Sequence, residues 1–284
     1  MKKVKFRKVA IIGMGMMGGS LGLDLNRLKT CGNITGIGRN TARLKAAKTK
    51  KACTRITRHF EEGVKGADIV VISLPVLIIP QVFARIRPFL GNDTLVIDMG
   101  STKSDIVGKI DEIDRNRNFV GSHPVVGSEK TGIKNIIPGM YKGGACIVTP
   151  SEKTNKAALK KAIAFWKSLG MKVTVMSPRE HDRIMAEVSH FPHLNAFMLV
   201  NMAEDVIKGK KGIIGPGFKD LTRIAASNED IWAEIFLSNK KEMLKHIDTA
   251  IEELDALSQM IYLNKVKELK NYIKRARDLR EKIK

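Results

Sequence analysis

The chain has 284 residues, 43% of them hydrophobic, which is enough for a real core and for two domains and leaves disorder out of account. Fifty Lys and Arg against 29 Asp and Glu give a formal charge of +21. The lysines are interleaved with acids, as in "KEMLKHIDTAIEELD", and no aromatic-rich basic patch appears, so a solvated surface that attracts anionic small molecules is expected rather than a specific nucleic-acid binder.

The apolar runs are too short to span a bilayer, and "MKKVKFRKVAIIG" leads straight into a strand without a small-residue cleavage site. Cys31, Cys53 and Cys146 lie far apart with no metal-ligand spacing, so a reducing, cytoplasmic setting and no metal are expected.

Short β-branched runs then alternate with amphipathic stretches: "KVAIIG", "NITGIG", "ADIVVISLP", "TLVIDMG", "NFVG", "GACIVTP" and "KVTVMSP". Strands separated by helical crossovers pair in parallel, which predicts an α/β fold with a doubly wound, Rossmann-type sheet over residues 1–176. "VAIIGMGMMGGSLG" follows the first strand and opens a helix, with Gly13, Gly15 and Gly18 in G-x-G-x-x-G order. In that context the glycines allow a tight turn, a close approach to a pyrophosphate and tight helix packing, so a nicotinamide dinucleotide is expected. Met16 and Met17 in this turn, and Ser73 and Pro75 at a later strand end, are counted with the cofactor site.

The second strand ends in Gly38, where a carboxylate for the ribose hydroxyls would stand in an NAD site, and continues with Arg39, Asn40, Thr41 and Arg43. Arginine can grip a 2′-phosphate through two hydrogen bonds, so NADP is favoured over NAD. Further on, "DMGSTK" places Ser101 and Lys103 at a helix start, and "GSHPVVGSEKTG" places His123 and Glu129 after "NFV". The second segment reads as a rigid loop, neither helix nor strand, at the carboxyl end of the sheet, where ligands of such folds bind.

After residue 176 no strand is expected, and residues 177–284 read as an all-helical domain. Ser177, Pro178 and Glu180 form a capping-box pattern, and Ile184, Val188, Phe191, Leu194 and Met198 recur as a buried helical stripe with a kink at Pro192. From Asn228 onward one or two long helices carry Ile231, Ile235, Ile247, Ile251 and Leu254, an apolar surface that calls for a partner, so a homodimer through the helical domain is expected.

The segments "GMGMMGGSL", "DMGSTK", "GSHPVVGSEKTG", "MSPREHD", "VSHFPHLNAF" and "GFKDLTRIAASNEDIW" resemble, in order, the prephenate/arogenate dehydrogenase family of tyrosine biosynthesis, with no added mutase or regulatory segment expected. The resemblance implies oxidative decarboxylation of prephenate, with arogenate as the alternative substrate. It implies that His123 accepts the ring hydroxyl's proton and that Ser101 hydrogen-bonds the same hydroxyl and His123. Arg223, with Lys219 one turn earlier, would bind the pyruvyl carboxylate, and His193, with His190 beside it, would face the ring carboxylate. Glu129 and Asp182 match acidic family positions near the site, and Asp220 would orient its basic neighbours. A related β-hydroxy acid dehydrogenase is the alternative of similar architecture, but nothing here matches its catalytic-lysine motif together with "GSHP". A binding module without chemistry leaves Ser101, His123 and Arg223 unexplained.

Overall fold

The computed structural model describes residues 6–127 and 130–283. β1 (Phe6–Ile12) leads through the Gly-rich turn into α1 (Met16–Arg27), and β2 (Cys31–Ile37) is followed by α2 (Thr41–Thr49). β3 (Arg55–Thr57), α3 (Phe60–Val64), β4 (Ile69–Ile72), α4 (Ile79–Ile86), β5 (Leu95–Asp98) and α5 (Ser104–Asp111) continue the winding. β6 (Phe119–Val125), β7 (Ala145–Thr149), α6 (Lys156–Ser168) and β8 (Lys172–Val175) complete one sheet in the order β3-β2-β1-β4-β5-β6-β7-β8.

Strands covered on both faces need apolar residues at nearly every position; "IVVI" supplies them throughout and "LVID" up to its last residue, Asp98. Alternation along each strand divides the core in two. Val9, Ile11, Ile69 and Val71 pack with Leu21, Phe165 and Trp166 on one face. Ala10, Ile12, Val70 and Ile72 pack with Phe83, Ile86 and Ile110 on the other.

Three sequence expectations are corrected here. β3 is an additional short strand that three residues were too few to signal. β7 runs antiparallel to β6; among the described residues the link between them holds a single 3₁₀ turn, Ile133–Asn135, and no crossover helix. The segment read as a loop is partly strand, since Gly121–Val125 belong to β6 and pair with Ala145–Thr149. Pro124 is tolerated there because β5 pairs β6 only as far as Val120, so one edge of the strand needs no N–H donor.

Helices follow: α7 (Pro178–Met185), a π-helical turn (Ala186–His190), α8 (Phe191–Met202), α9 (Glu204–Gly209), α10 (Pro216–Thr222), α11 (Glu229–Ser238), α12 (Lys240–Tyr262) and α13 (Val266–Arg280). Ser177 caps α7 as its position predicts, its Oγ accepting from the Glu180 N–H at 3.1 Å. The irregularity expected at Pro192 takes the form of the π turn just before it. The stretch after Asn228 holds three helices rather than one or two. The expected stripe is also displaced: Val188 is 64% exposed, while His181, Asp182, Met185, Ala186 and His190 are buried. That face lies against the strand ends, where its neighbours are polar, so histidines and a carboxylate occupy it.

The chain forms two compact units, Met1–Asn239 and Lys240–Lys284. Helices α7–α11 fold with the sheet in the first, and α12 and α13 pack on each other in the second.

Candidate active site

At the amino end of α1 each glycine has a distinct reason. Gly13 has φ +99°, and a Cβ there would stand 2.1 Å from the Ser73 carbonyl oxygen. A Cβ on Gly18 would meet the Gly13 carbonyl oxygen at 2.0 Å, so α1 sits as close to β1 as backbones allow. A Cβ on Gly15, the residue at the helix start, would meet nothing within 4 Å among the described residues, and Gly15 itself supplies no side-chain cap to α1. Room above Gly15 at a helix start lets a dinucleotide pyrophosphate approach the backbone. Met16 and Met17 begin the helix, and the Tyr141 hydroxyl donates to the Met17 carbonyl at 2.8 Å. Ser73 is half-buried against Gly13, and Pro75 is exposed at the end of β4. Arg39, Asn40 and Thr41 are exposed at the end of β2, where Asn40 Oδ1 caps α2 by accepting from the Arg43 N–H at 2.9 Å.

The two strand ends carrying Ser101 and His123 are tied by an ion pair. Asp98 accepts from the Gly100 N–H at 2.8 Å and the Ser122 N–H at 3.0 Å, and pairs with Lys103, both side chains being fully buried. Lys103 Nζ also donates to the Ser122 carbonyl at 3.1 Å. A buried ion pair survives only when its remaining bonds are satisfied, and here those bonds join β5, its following turn and the residue before His123. Lys103 is therefore interior bracing rather than a cation facing a ligand.

Helix α7 supplies what lies behind His123. His123 Nδ1 and His181 Nε2 are 2.9 Å apart, and His181 Nδ1 is 2.8 Å from Asp182 Oδ1. Asp182 also accepts from the Lys103 N–H at 2.7 Å and the Ser104 N–H at 2.8 Å, satisfying the amino end of α5 from another helix. Burial pushes the His123 pKa well below the ordinary histidine value, reinforced by the repulsion a second proton would meet from His181, Lys103 and His190 in their protonated forms. His181 is likewise lowered by burial, against the pull of Asp182.

His190 is buried, and its pKa is pushed down to about 4 by burial. Asn239 Nδ2 donates to the Asp182 carbonyl at 2.8 Å and lies 3.2 Å from His190 Nδ1. His190 Nε2 makes no hydrogen bond among the described residues, although the Ser101 backbone lies close to the ring. Thr102 and Ser238 share a hydroxyl hydrogen bond of 2.8 Å, so α11 is fastened to the same turn. No hydrogen bond joins Ser101 to His123 among the described residues.

Toward the rim, His193 is half-buried, and its Nδ1 donates to the Ser189 carbonyl at 2.9 Å. Its ring stacks on Trp232 with centroids 3.6 Å apart and planes inclined by 20°. Burial lowers its pKa against the pull of the Ser189 carbonyl, the Arg223 charge lowers it further, and the turn that begins at Arg223 packs against α8. Arg223, Lys219 and Asp220 are all exposed. The structure thus gathers His123, Asp182, His190 and the Ser101 turn in the interior and sets His193 and Arg223 together at the rim. It records no contact that carries Lys219 or Asp220 into the site, and Glu129 lies outside the described residues.

Sequence reasoning missed His181, Trp232 and Asn239. The first two stand inside the quoted segments "MSPREHD" and "GFKDLTRIAASNEDIW", where a ring beside an acid and a Trp after a cap were available signals. Asn239 had none.

A family profile described as "Prephenate dehydrogenase, nucleotide-binding domain" matches residues 21–175, and one described as "Prephenate dehydrogenase, dimerization domain" matches residues 177–275. The prephenate dehydrogenase of Bacillus subtilis is 31% identical over 280 residues, covering 96% of this chain and 75% of that protein. The cyclohexadienyl dehydrogenase of Zymomonas mobilis is 27% identical over 260 residues, covering 90% of this chain and 89% of that protein. Among solved structures, prephenate dehydrogenase from A. aeolicus in complex with hydroxyphenyl propionate and NAD+ superposes with a TM-score of 0.91 at 33% identity, over 100% of both chains.

Proposed function

The chain belongs to the prephenate dehydrogenase family, and from that footing we propose that it oxidatively decarboxylates prephenate to 4-hydroxyphenylpyruvate, using a nicotinamide dinucleotide, in tyrosine biosynthesis. The observation that carries this reading is a buried histidine at a strand end, His123, whose Nδ1 is tied back to His181. The bound dinucleotide supplies the hydride acceptor at the carboxyl ends of the strands. Gly13, Gly15, Gly18, Met16 and Met17 hold its pyrophosphate segment, with Ser73 and Pro75 at the next strand end.

His123 takes the proton of the ring hydroxyl at Nε2, and Ser101 orients that hydroxyl. A histidine kept neutral by burial is ready as a base at pH 7 without first losing a proton. Arg223 pairs with the pyruvyl carboxylate, with Lys219 adding charge from one turn earlier and Asp220 orienting these cations; Glu129 keeps the gating or orienting role that its family position implies. His193 faces the ring carboxylate. Its Nδ1–H is already committed to Ser189, so a bond to that carboxylate comes from Nε2, which must gain a proton as the anion arrives.

NADP is the preferred cofactor in this reading, supported by Gly38 in place of a carboxylate and by exposed Arg39 beside Thr41. The division after residue 176 is retained as the boundary of a helical domain that builds a homodimer, supported by exposed Val188, Met198, Met202 and Leu221. Among the described residues no helix is long and apolar enough to cross a membrane, and a cytoplasmic location is part of the proposal. The test is formation of reduced nicotinamide on adding prephenate, with NADP and NAD in parallel and arogenate as a second arm. No turnover of either substrate with either cofactor refutes the reading.

A further inference from the structure

Three side chains behind the site determine which ring nitrogens carry protons. Asp182 is ionised: burial raises its pKa, but hydrogen bonds from His181 and Ser104 outweigh this and hold it below the ordinary carboxylate range. An ionised carboxylate only accepts, so His181 Nδ1 bears a proton and donates to it. His181 is buried and its pKa is lowered, so the ring is neutral near pH 7 and its Nε2 is bare. The 2.9 Å contact from that bare nitrogen to His123 Nδ1 then requires the proton on His123, leaving His123 Nε2 bare.

The second line starts at the same residue. The Asp182 carbonyl accepts from Asn239 Nδ2, which fixes the orientation of the amide, because a flipped amide would set two oxygens against each other. The same nitrogen faces His190 Nδ1, so that ring nitrogen must accept, and a neutral His190 carries its proton on Nε2. That N–H is buried and, beyond the Ser101 backbone that lies close to the ring, meets no hydrogen-bond acceptor among the described residues; a donor left unsatisfied costs roughly 1–3 kcal/mol.

We propose that Asp182, directly through His181 and through Asn239, holds His123 and His190 in opposite neutral tautomers, so that the site offers one bare nitrogen for a proton and one N–H for a substrate oxygen. His181, Asp182 and Asn239 are then positioning residues, and this assignment rests on the reaction proposed above. The arrangement separates two tasks that a single tautomeric form could not serve. With His181 doubly protonated, the direction of its bond to His123 reverses, His123 carries its proton on Nε2, and the base is lost.

Long-range proton–nitrogen NMR of the full chain, labelled with ¹⁵N-histidine at pH 7, reads the tautomers directly. His123→Asn and His190→Asn assign the two rings by the signals they remove. The expected result is a protonated Nδ1 and bare Nε2 on His123, and the reverse on His190. A proton on His123 Nε2, or either ring charged, overturns the proposal. Kinetics supply the second test. In His181→Gln the amide can still donate to Asp182 and accept from His123, whereas in His181→Leu it can do neither. The leucine variant should lower kcat about 10²-fold, the lower end of what a general base contributes, with KM for prephenate changed less than about threefold, and the glutamine variant should recover most of the loss. Equal losses in both variants, or full turnover in the leucine variant, overturn the positioning role. A protein showing the expected tautomers but no turnover of prephenate or arogenate refutes the proposed reaction and leaves the tautomer assignment standing.

Discussion

His123, His181, Asp182 and His190 are buried and bonded to one another, or to Lys103 and Asn239, before any ligand arrives, while Arg39, Lys219 and Arg223 stand exposed at the rim. The interior groups are held by low dielectric and short hydrogen bonds, so their protonation states are set by the fold. The rim cations stand exposed, where an arriving anion can reach them and solvent screens their other interactions, so their contribution belongs to binding. The difference teaches where to look for each kind of effect: rate and stability should reside in the interior, and affinity and cofactor choice at the rim.

The sharpest test of that division is His123→Asn. Asparagine keeps size and hydrogen bonding but takes no proton near neutrality, so kcat should fall by about 10²–10⁴-fold with KM little changed. Near-normal turnover in steady-state kinetics would break the division at its centre. Next is Lys103→Met, which leaves Asp98 buried without its ammonium partner. A cost of about 3–5 kcal/mol is expected, measured as a shift in the urea midpoint. A change below about 1 kcal/mol, the size of a surface pair, would show that the pair does not brace the strand ends.

Acid should act on the same interior. His190 titrates at about 4 in the folded chain, below the 6.5 of an ordinary histidine, so between those values the unfolded chain binds more protons. Its stabilising contribution is therefore present above pH 6.5 and is lost as pH falls toward 4, about 3 kcal/mol in all. His123 and His181 are shifted in the same direction and add to the loss. Thermal melts from pH 7 to 4 should show this decline, and His190→Asn should flatten it. An unchanged slope would remove His190 from the account.

The smallest effects belong to the rim. Arg39→Asp should move the kcat/KM ratio from NADP toward NAD by roughly 1.5–3 kcal/mol, the size of a charged hydrogen bond, and leave Tm unaltered. Arg223→Ala should raise KM for prephenate by a similar amount with kcat nearly constant. A fall in kcat as large as that of His123→Asn would erase the distinction between the two regions.

What could be read from the chain itself was local. Gly13, Gly15 and Gly18 announce a turn because strand, glycine spacing and helix start lie within one short segment, and "IVVI" announces a covered strand because both faces are written in four residues. His123 and Ser101 stood out for the same reason, each close to a strand end. His193 and Arg223 came from resemblance, and the structure brings them together. Only the folded chain brings His181 to His123 across 58 positions, Asn239 to His190 across 49, and the Asp182 carboxylate to the start of α5. Those contacts depend on how α7 and α11 dock against the sheet, and nothing near His181 or Asn239 in the chain encodes which partner will stand opposite. Local sequence determined which backbone elements form and where a base could stand. Tertiary packing decided which nitrogen of that base carries the proton, because burial and long-range hydrogen bonds set it.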